Sequence, residues 1–168
     1  MPMRRFVPLL LLLAACAPAG TTDRVIVRES PNAAAAGPQV SESEMEARLH
    51  AAINRRRESR GLPPFVLDAG MSEIARQHSR DMAAERVPFG HDGFDGRWTA
   101  VRRLGAYSTF AENVGYNDFP PDRAATVAFE GFVRSSSHRR NLDGEFSRTG
   151  IGVARTGRTY YFTQVFAR

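Results

Sequence analysis

The chain contains no lysine; all 23 of its basic residues are arginine. That absence excludes a phosphate-cradling loop ending in lysine, a Schiff-base lysine and a serine–lysine hydrolase. Cysteine is almost missing as well. Cys16 stands alone, so the chain can form neither an intramolecular disulfide nor a cysteine-ligated zinc cluster. The apolar run from Val7 to Ala15 falls well short of the roughly 20 residues that cross a bilayer. No internal repeat is visible. Asp92-Gly93-Phe94-Asp95-Gly96 lacks the ligand spacing and terminal glutamate of a calcium loop. What is present is an ordinary globular balance, 168 residues with 42% apolar and 24% charged, which suits one compact domain.

Residues 1–15 read as a lipoprotein signal peptide. Arg4 and Arg5 form its positive end, and a short apolar run ends in small residues. Leu13-Ala14-Ala15-Cys16 resembles the bacterial lipobox, in which cleavage leaves the cysteine first and lipidated. A lipid on Cys16 explains a lone thiol in an oxidising compartment and provides a membrane anchor. Ala17, rather than an aspartate, follows Cys16, which favours the outer membrane and periplasm in a host that has them. Removing Arg4 and Arg5 leaves 21 arginines against 18 acids, a net charge of +3 rather than +5. So modest a charge argues against nucleic acid as a partner. The Arg55-Arg56-Arg57, Arg102-Arg103 and Arg139-Arg140 clusters read as solvated faces or carboxylate partners. Residues 16–40 then form the lipidated cysteine and a Pro/Gly/Ala-rich linker. Its 24 residues after Cys16 give a mean reach of roughly 27 Å.

Residues 41–168 carry the fold. Ser43 with Glu46, or Ser41 with Glu44, makes a capping box, and Met45, Leu49, Ala52 and Ile53 follow at helical spacing. Gly61 and Pro63-Pro64 end this helix. Asp68 caps a second helix with Met71, Ile74, Ala75, His78 and Met82 along its apolar stripe, where His78 reads as a packed histidine bonded to backbone. Residues 89–120 read as loop, broken by a short helix through Trp98, Val101 and Leu104. Pro120-Pro121 and Asp122 introduce a third main helix. Ile151–Arg155 and Thr159–Ala167 flank the Thr156-Gly157 turn as a hairpin, with Tyr160, Phe162, Gln164 and Phe166 on one face. Tyr160, Tyr161, Phe162 and Phe166 read as sheet core. Helices preceding strands in blocks indicate the α+β class, a small antiparallel sheet packed with helices in a single, monomeric domain.

Two histidines stand in unusual company. His91 lies in the glycine-flanked segment Phe89-Gly90-His91-Asp92-Gly93, and His138 follows Ser135-Ser136-Ser137 just beyond a helix end. Between them lies Ala111-Glu112-Asn113-Val114-Gly115. Two imidazoles and a carboxylate suit a zinc ion with an open fourth position. The order of segments resembles the CAP superfamily, which unites cysteine-rich secretory proteins, antigen 5 and pathogenesis-related 1 proteins, and especially its bacterial branch. The resemblance runs through Asn54 and Arg57 before Gly61-Leu62-Pro63, then Ala75 to Met82, then Phe89-Gly90-His91 and Glu112-Asn113-Val114. Ser135 to Leu142, Gly150-Ile151-Gly152-Val153 and Tyr161 to Phe166 complete it.

This resemblance implies a three-layer α-β-α sandwich with a solvent-open groove lined by His91, Glu112 and His138. It also implies that zinc or another divalent cation can bind between the histidines, with Glu112 as ligand or orienter. The His-Glu-Glu-His tetrad of eukaryotic members is incomplete: Phe132-Val133-Arg134-Ser135 lacks the second glutamate, and Tyr161 stands where the second histidine would be. Three functions are consistent with these residues. The first is a non-catalytic binding module whose groove, ringed by His91, Glu112, His138, Tyr161 and Ser135, holds a lipid, peptide or glycan fragment. The second is a hydrolase using His91 or His138 with Glu112, through a metal-activated water or a serine of Ser135–Ser137. Against the serine version, no glycine-flanked nucleophile elbow is visible. The third is an envelope interaction protein with a vestigial groove.

Overall fold

The structure, a computed structural model, describes residues 39–168; the expected signal peptide, Cys16 and nearly all of the linker lie outside the described residues. Helix α1 (Glu42–Ser59) starts at Ser41, whose hydroxyl accepts the Glu44 amide at 3.2 Å, so the first of the two serines is the cap. Glu46 does not close a capping box on Ser43. It turns inward, accepts from Arg76 Nε and Nη2 at 2.9 and 2.8 Å, and takes the Val153 amide at 3.1 Å. A carboxylate gains more from a guanidinium and a buried amide than from an exposed first turn. The helix stops as expected: Gly61 adopts φ +71°, its amide reaches Glu58 O, and Leu62 N–H reaches back to Arg57 O.

Strand β1 (Val66–Leu67) leads through the cap Asp68 into α2 (Ala69–Ala83). A short helix α3 (Phe94–Arg102) precedes strand β2 (Phe110–Asn117). Helices α4 (Pro121–Arg134) and α5 (Ser136–Leu142) follow, and the chain ends in the hairpin β3 (Arg148–Thr156) and β4 (Thr159–Ala167). The sheet order is β1-β3-β4-β2. Strands β3, β4 and β2 are antiparallel, whereas β1 adds a two-residue parallel pairing to β3.

Two cores face each other across the sheet. On one side Met45, Leu49 and Ile53 of α1 and Ala124, Ala128 and Phe132 of α4 cover Ile151, Val153, Phe162 and Phe166. On the other, Met71 and Ala75 of α2 and Val101 of α3 cover Val165 and Ala167. This is the α+β, three-layer sandwich expected. Its second core depends on two glycines of β3: a Cβ on Gly150 would lie 2.2 Å from Met71 C, and one on Gly152 only 2.0 Å from Arg76 N. Only bare backbone lets α2 approach the strands so closely.

The arginine clusters are not uniformly solvated. Arg56 pairs with Asp143 at 2.8 Å, but Arg57 is buried. It donates to the carbonyls of Pro63, Leu142 and Gly144, and its guanidinium lies 3.7 Å from the centre of the Phe65 ring. Burial pushes the Arg57 pKa down. Asn54 exchanges hydrogen bonds with the Phe65 backbone at 2.9 and 3.0 Å. The Asn54 and Arg57 positions therefore staple the segment after α1 to the helix that precedes it.

Candidate functional site

The site grows from β2, an edge strand of the sheet. Along this strand side chains alternate, so Glu112, Val114 and Tyr116 point toward the α2/α3 layer, while Asn113 and Gly115 point toward α4 and α5. The side chain of Glu112 is wholly buried, and both its oxygens are committed. Arg97 of α3 grips it with Nε at 2.5 Å and Nη2 at 2.7 Å, and His91 Nδ1 lies 2.8 Å from Oε1. Carboxylates only accept, so the proton of this bond sits on His91 Nδ1, and Nε2 is the ring nitrogen that takes no part in it.

Arg97 anchors the whole cluster. Besides Glu112, it donates to the carbonyls of Asp92 and His91 and to His78 Nδ1 at 3.2 Å. His78 donates Nε2–H to Gly90 O at 2.9 Å, as a packed histidine should. Burial, with the Arg97 cation beside it, lowers the His78 pKa. The loop carrying His91 is thus held at Gly90, His91 and Asp92 by two buried side chains. Sequence reasoning misses Arg97, although it stands four residues before the buried Val101 on the inward face of α3.

On the opposite side of β2, Asn113 fixes α5. Its Nδ2 donates to His138 O at 3.2 Å, and its Oδ1 accepts from Asn141 Nδ2 at 2.8 Å. The His138 ring packs edge-on against Phe132, with centroids 5.2 Å apart. Burial lowers its pKa, and the nearby His91 adds to that shift.

A groove of about 660 Å³ runs beside these residues. Val114 to Phe119 form one wall, and Val127, Ala128, Gly131, Phe132 and Arg134 of α4 form the other, with Ser135 and His138 at one end. The expected cavity residues therefore separate. His138 and Ser135 line the groove. His91 lies near enough to influence His138, Glu112 is sealed beneath, and Tyr161 stacks behind Tyr116 at 6.0 Å. Tyr160, Phe162 and Phe166 are core, but Tyr161 is only partly buried and joins a surface aromatic row in which Phe89 meets Tyr116 edge-on at 4.8 Å.

The cation implied by resemblance does not fit a three-ligand centre here. Glu112 has given both oxygens to Arg97 and His91, and no group of three or more His, Cys, Asp or Glu able to hold a metal exists among the described residues. A serine nucleophile fares no better. Ser135 Oγ bonds Ser137 Oγ at 3.0 Å and faces the His138 amide as the α5 cap, not an imidazole.

Fold and site together define an α-β-α sandwich domain with a groove along its sheet edge and a histidine buttressed by a buried carboxylate–guanidinium pair. The family model described as "CAP: Cysteine-rich secretory protein family" matches residues 50–166, and the chain belongs to that family. It is 27% identical to the uncharacterized protein YkwD of Bacillus subtilis over 133 residues, covering 77% of this chain and 49% of the relative. Among solved structures it resembles an extracellular protein containing an SCP domain from Bacillus anthracis, at 26% identity and TM-score 0.64, with 76% of this chain and 41% of that one covered. An outer surface protein of Borrelia burgdorferi shares the fold at TM-score 0.61 and 15% identity, with 77% of this chain and 96% of that one covered. The chain spans about half the length, or less, of the two Bacillus proteins it matches.

Proposed function

We propose that this is an extracytoplasmic, non-catalytic binding module, held at a membrane by a lipid on Cys16, whose β2–α4 groove takes a small ligand. The observation that carries the reading is the division of labour between the buried cluster and the groove. Glu112, Arg97 and His78 satisfy one another and the His91 loop, leaving an open, largely apolar cleft with a few polar groups at its end. That is the composition of a ligand site rather than of a preorganised reaction centre. The extracellular and outer-surface descriptions of the B. anthracis and Borrelia proteins support the location. Among the described residues no helix is long and apolar enough to cross a membrane. The anchor rests instead on the lipobox-like Leu13-Ala14-Ala15-Cys16.

The test is a ¹H–¹⁵N titration of the full chain carrying Cys16→Ala, against a panel of a fatty acid, a disaccharide–peptide wall fragment and short peptides. Saturable shifts confined to Val114–Phe119, Gly131 and His138, and absent in Gly131→Leu, support the reading. Shifts elsewhere, or none across the panel, overturn it. For the anchor, Cys16→Ala shifts the protein from the detergent to the aqueous phase on Triton partitioning; unchanged partitioning overturns the lipid.

A hydrolytic reading draws on one observation, the 2.8 Å His91–Glu112 contact, which presents Nε2 as a general base. It predicts turnover abolished by His91→Ala, and no turnover of the panel in the wild type excludes it.

A further inference from the structure

We infer that the open edge of β2 receives an extended peptide as a fifth strand of the sheet, a ligand class that rests on the groove being the binding site. The hydrogen-bond phase of the strand decides which of its backbone groups are free. Thr109 N–H donates to Arg168 O at 3.0 Å, and Arg168 N–H donates back to Thr109 O at 3.1 Å. That mutual pair precedes the register Phe110↔Ala167, and in an antiparallel ladder bonded and non-bonded pairs alternate. Residues 111, 113, 115 and 117 therefore bond β4, and Phe110, Glu112, Val114 and Tyr116 turn their N–H and C=O groups outward. Glu112 confirms the phase, because its carbonyl accepts from Asn141 Nδ2 of α5 at 3.3 Å.

Helix α5 thus caps the edge at Glu112, and beyond it the cap ends. The outward amides and carbonyls of Val114 and Tyr116 have no hydrogen-bond partner among the described residues. They open into the groove, whose wall is six successive residues of this strand and its extension. An exposed row of strand donors and acceptors is a template for another strand. From Val114 to Asn117 the free edge is four residues, about 13 Å at the usual rise, enough to seat a three- or four-residue segment.

The groove also has two apolar sides, as an added strand requires. One set of alternate side chains would meet Val127, Ala128 and Phe132 of α4, and the other Phe89 and Tyr116. Room exists on the helix side because a Cβ on Gly131 would meet nothing within 4 Å. Charge completes the specification. Arg134 lies at the His138 end, two-thirds exposed, and its ion pair with Glu130 is a long surface one at 3.5 Å that a ligand carboxylate can displace. Arg139 is tied to Val133 O beside it, and the exposed Arg140 follows. This end suits a carboxylate, so the peptide is apolar in its alternate positions and acidic at one end.

The experiment uses the full chain with Cys16→Ala and a fluorescein-labelled hexapeptide of alternating valine and threonine with a glutamate at each end. Two further versions carry N-methyl groups on one or the other set of alternate amides. Expected are saturable binding, at least tenfold slower hydrogen exchange at Val114 and Tyr116 amides in the complex, and a tenfold or greater loss of affinity for one N-methylated version only. Gly131→Leu abolishes binding, and Arg134→Glu weakens it severalfold. Binding that leaves both amides unprotected, or that tolerates both N-methyl patterns equally, overturns strand addition. No peptide binding while the fatty acid or wall fragment still shifts groove resonances overturns the peptide proposal alone. Silence from peptide and panel alike overturns the groove reading with it.

Discussion

Replacing Arg97 with methionine isolates the interaction on which the site is built. The Arg97 side chain is about 10% exposed and that of Glu112 not at all, and two hydrogen bonds of 2.5 and 2.7 Å join them. Arg97→Met leaves the Glu112 carboxylate buried with only His91 beside it, and removes the donors to His78, Asp92 O and His91 O. Stranding one partner of a buried pair costs about 3–5 kcal/mol. For a domain of this size that corresponds to a melting-temperature drop of roughly 10–20 °C. Urea unfolding measures it as a lower midpoint with an unchanged slope. Glu112→Gln keeps the shape and removes the charge, so Arg97→Met/Glu112→Gln recovers part of the loss, with a coupling energy above about 1 kcal/mol. A cost below about 1 kcal/mol for Arg97→Met, or strictly additive single and double variants, would refute the idea that this pair organises the His91 loop.

Gly152→Ala forces a Cβ to within 2.0 Å of Arg76 N, and a destabilisation on the order of 3 kcal/mol or more is expected in the same urea assay. Gly131→Ala, where the new methyl meets open space on α4, stabilises by about 0.5–1 kcal/mol; a loss of stability there contradicts the geometry. His78 is held neutral with its pKa below the ordinary 6.5, so the unfolded chain binds its proton first as pH falls. Its contribution is therefore complete above that value and declines below it until the folded-state pKa is reached. A shallower loss of stability between about pH 7 and pH 5 in His78→Gln than in the wild type is the check. A fluorophosphonate probe should leave Ser135 unlabelled, since its hydroxyl faces Ser137 and a backbone amide; stoichiometric labelling lost in Ser135→Ala contradicts that.

Helices α1, α2 and α4 and the β3–β4 hairpin are legible in the sequence because each buries a periodic apolar face between recognisable caps and turns. Strand β2 is not, and its segment reads as loop. Its Glu112, Asn113, Gly115 and Asn117 are poor strand formers on their own, and the side chains of Glu112 and Asn113 are satisfied by partners 15 and 25 residues away in sequence. Helix α5 is likewise hidden in a serine- and arginine-rich stretch, and its anchor is a carbonyl-to-asparagine bond. The pairing of His91 with Glu112 is visible only through the order of familiar segments, and composition alone offers no reason to join them. Arg97 escapes notice because an arginine in a short amphipathic helix looks like its solvated face. The burial of Glu112 is what reverses that reading, and it is a property of the assembled sheet. The same burial sets the Glu112 side chain beneath the groove rather than in its wall.

The central claim is that the groove holds its ligand without transforming it. The most direct measurement is mass spectrometry of each panel compound after overnight incubation with the full chain, beside native mass spectra of the complex. The prediction is a one-to-one complex for a compound that is recovered unchanged, and no complex with Gly131→Leu. Product accumulating beyond the amount of protein, and disappearing with His91→Ala, would contradict it and make the His91–Glu112 pair a catalytic one.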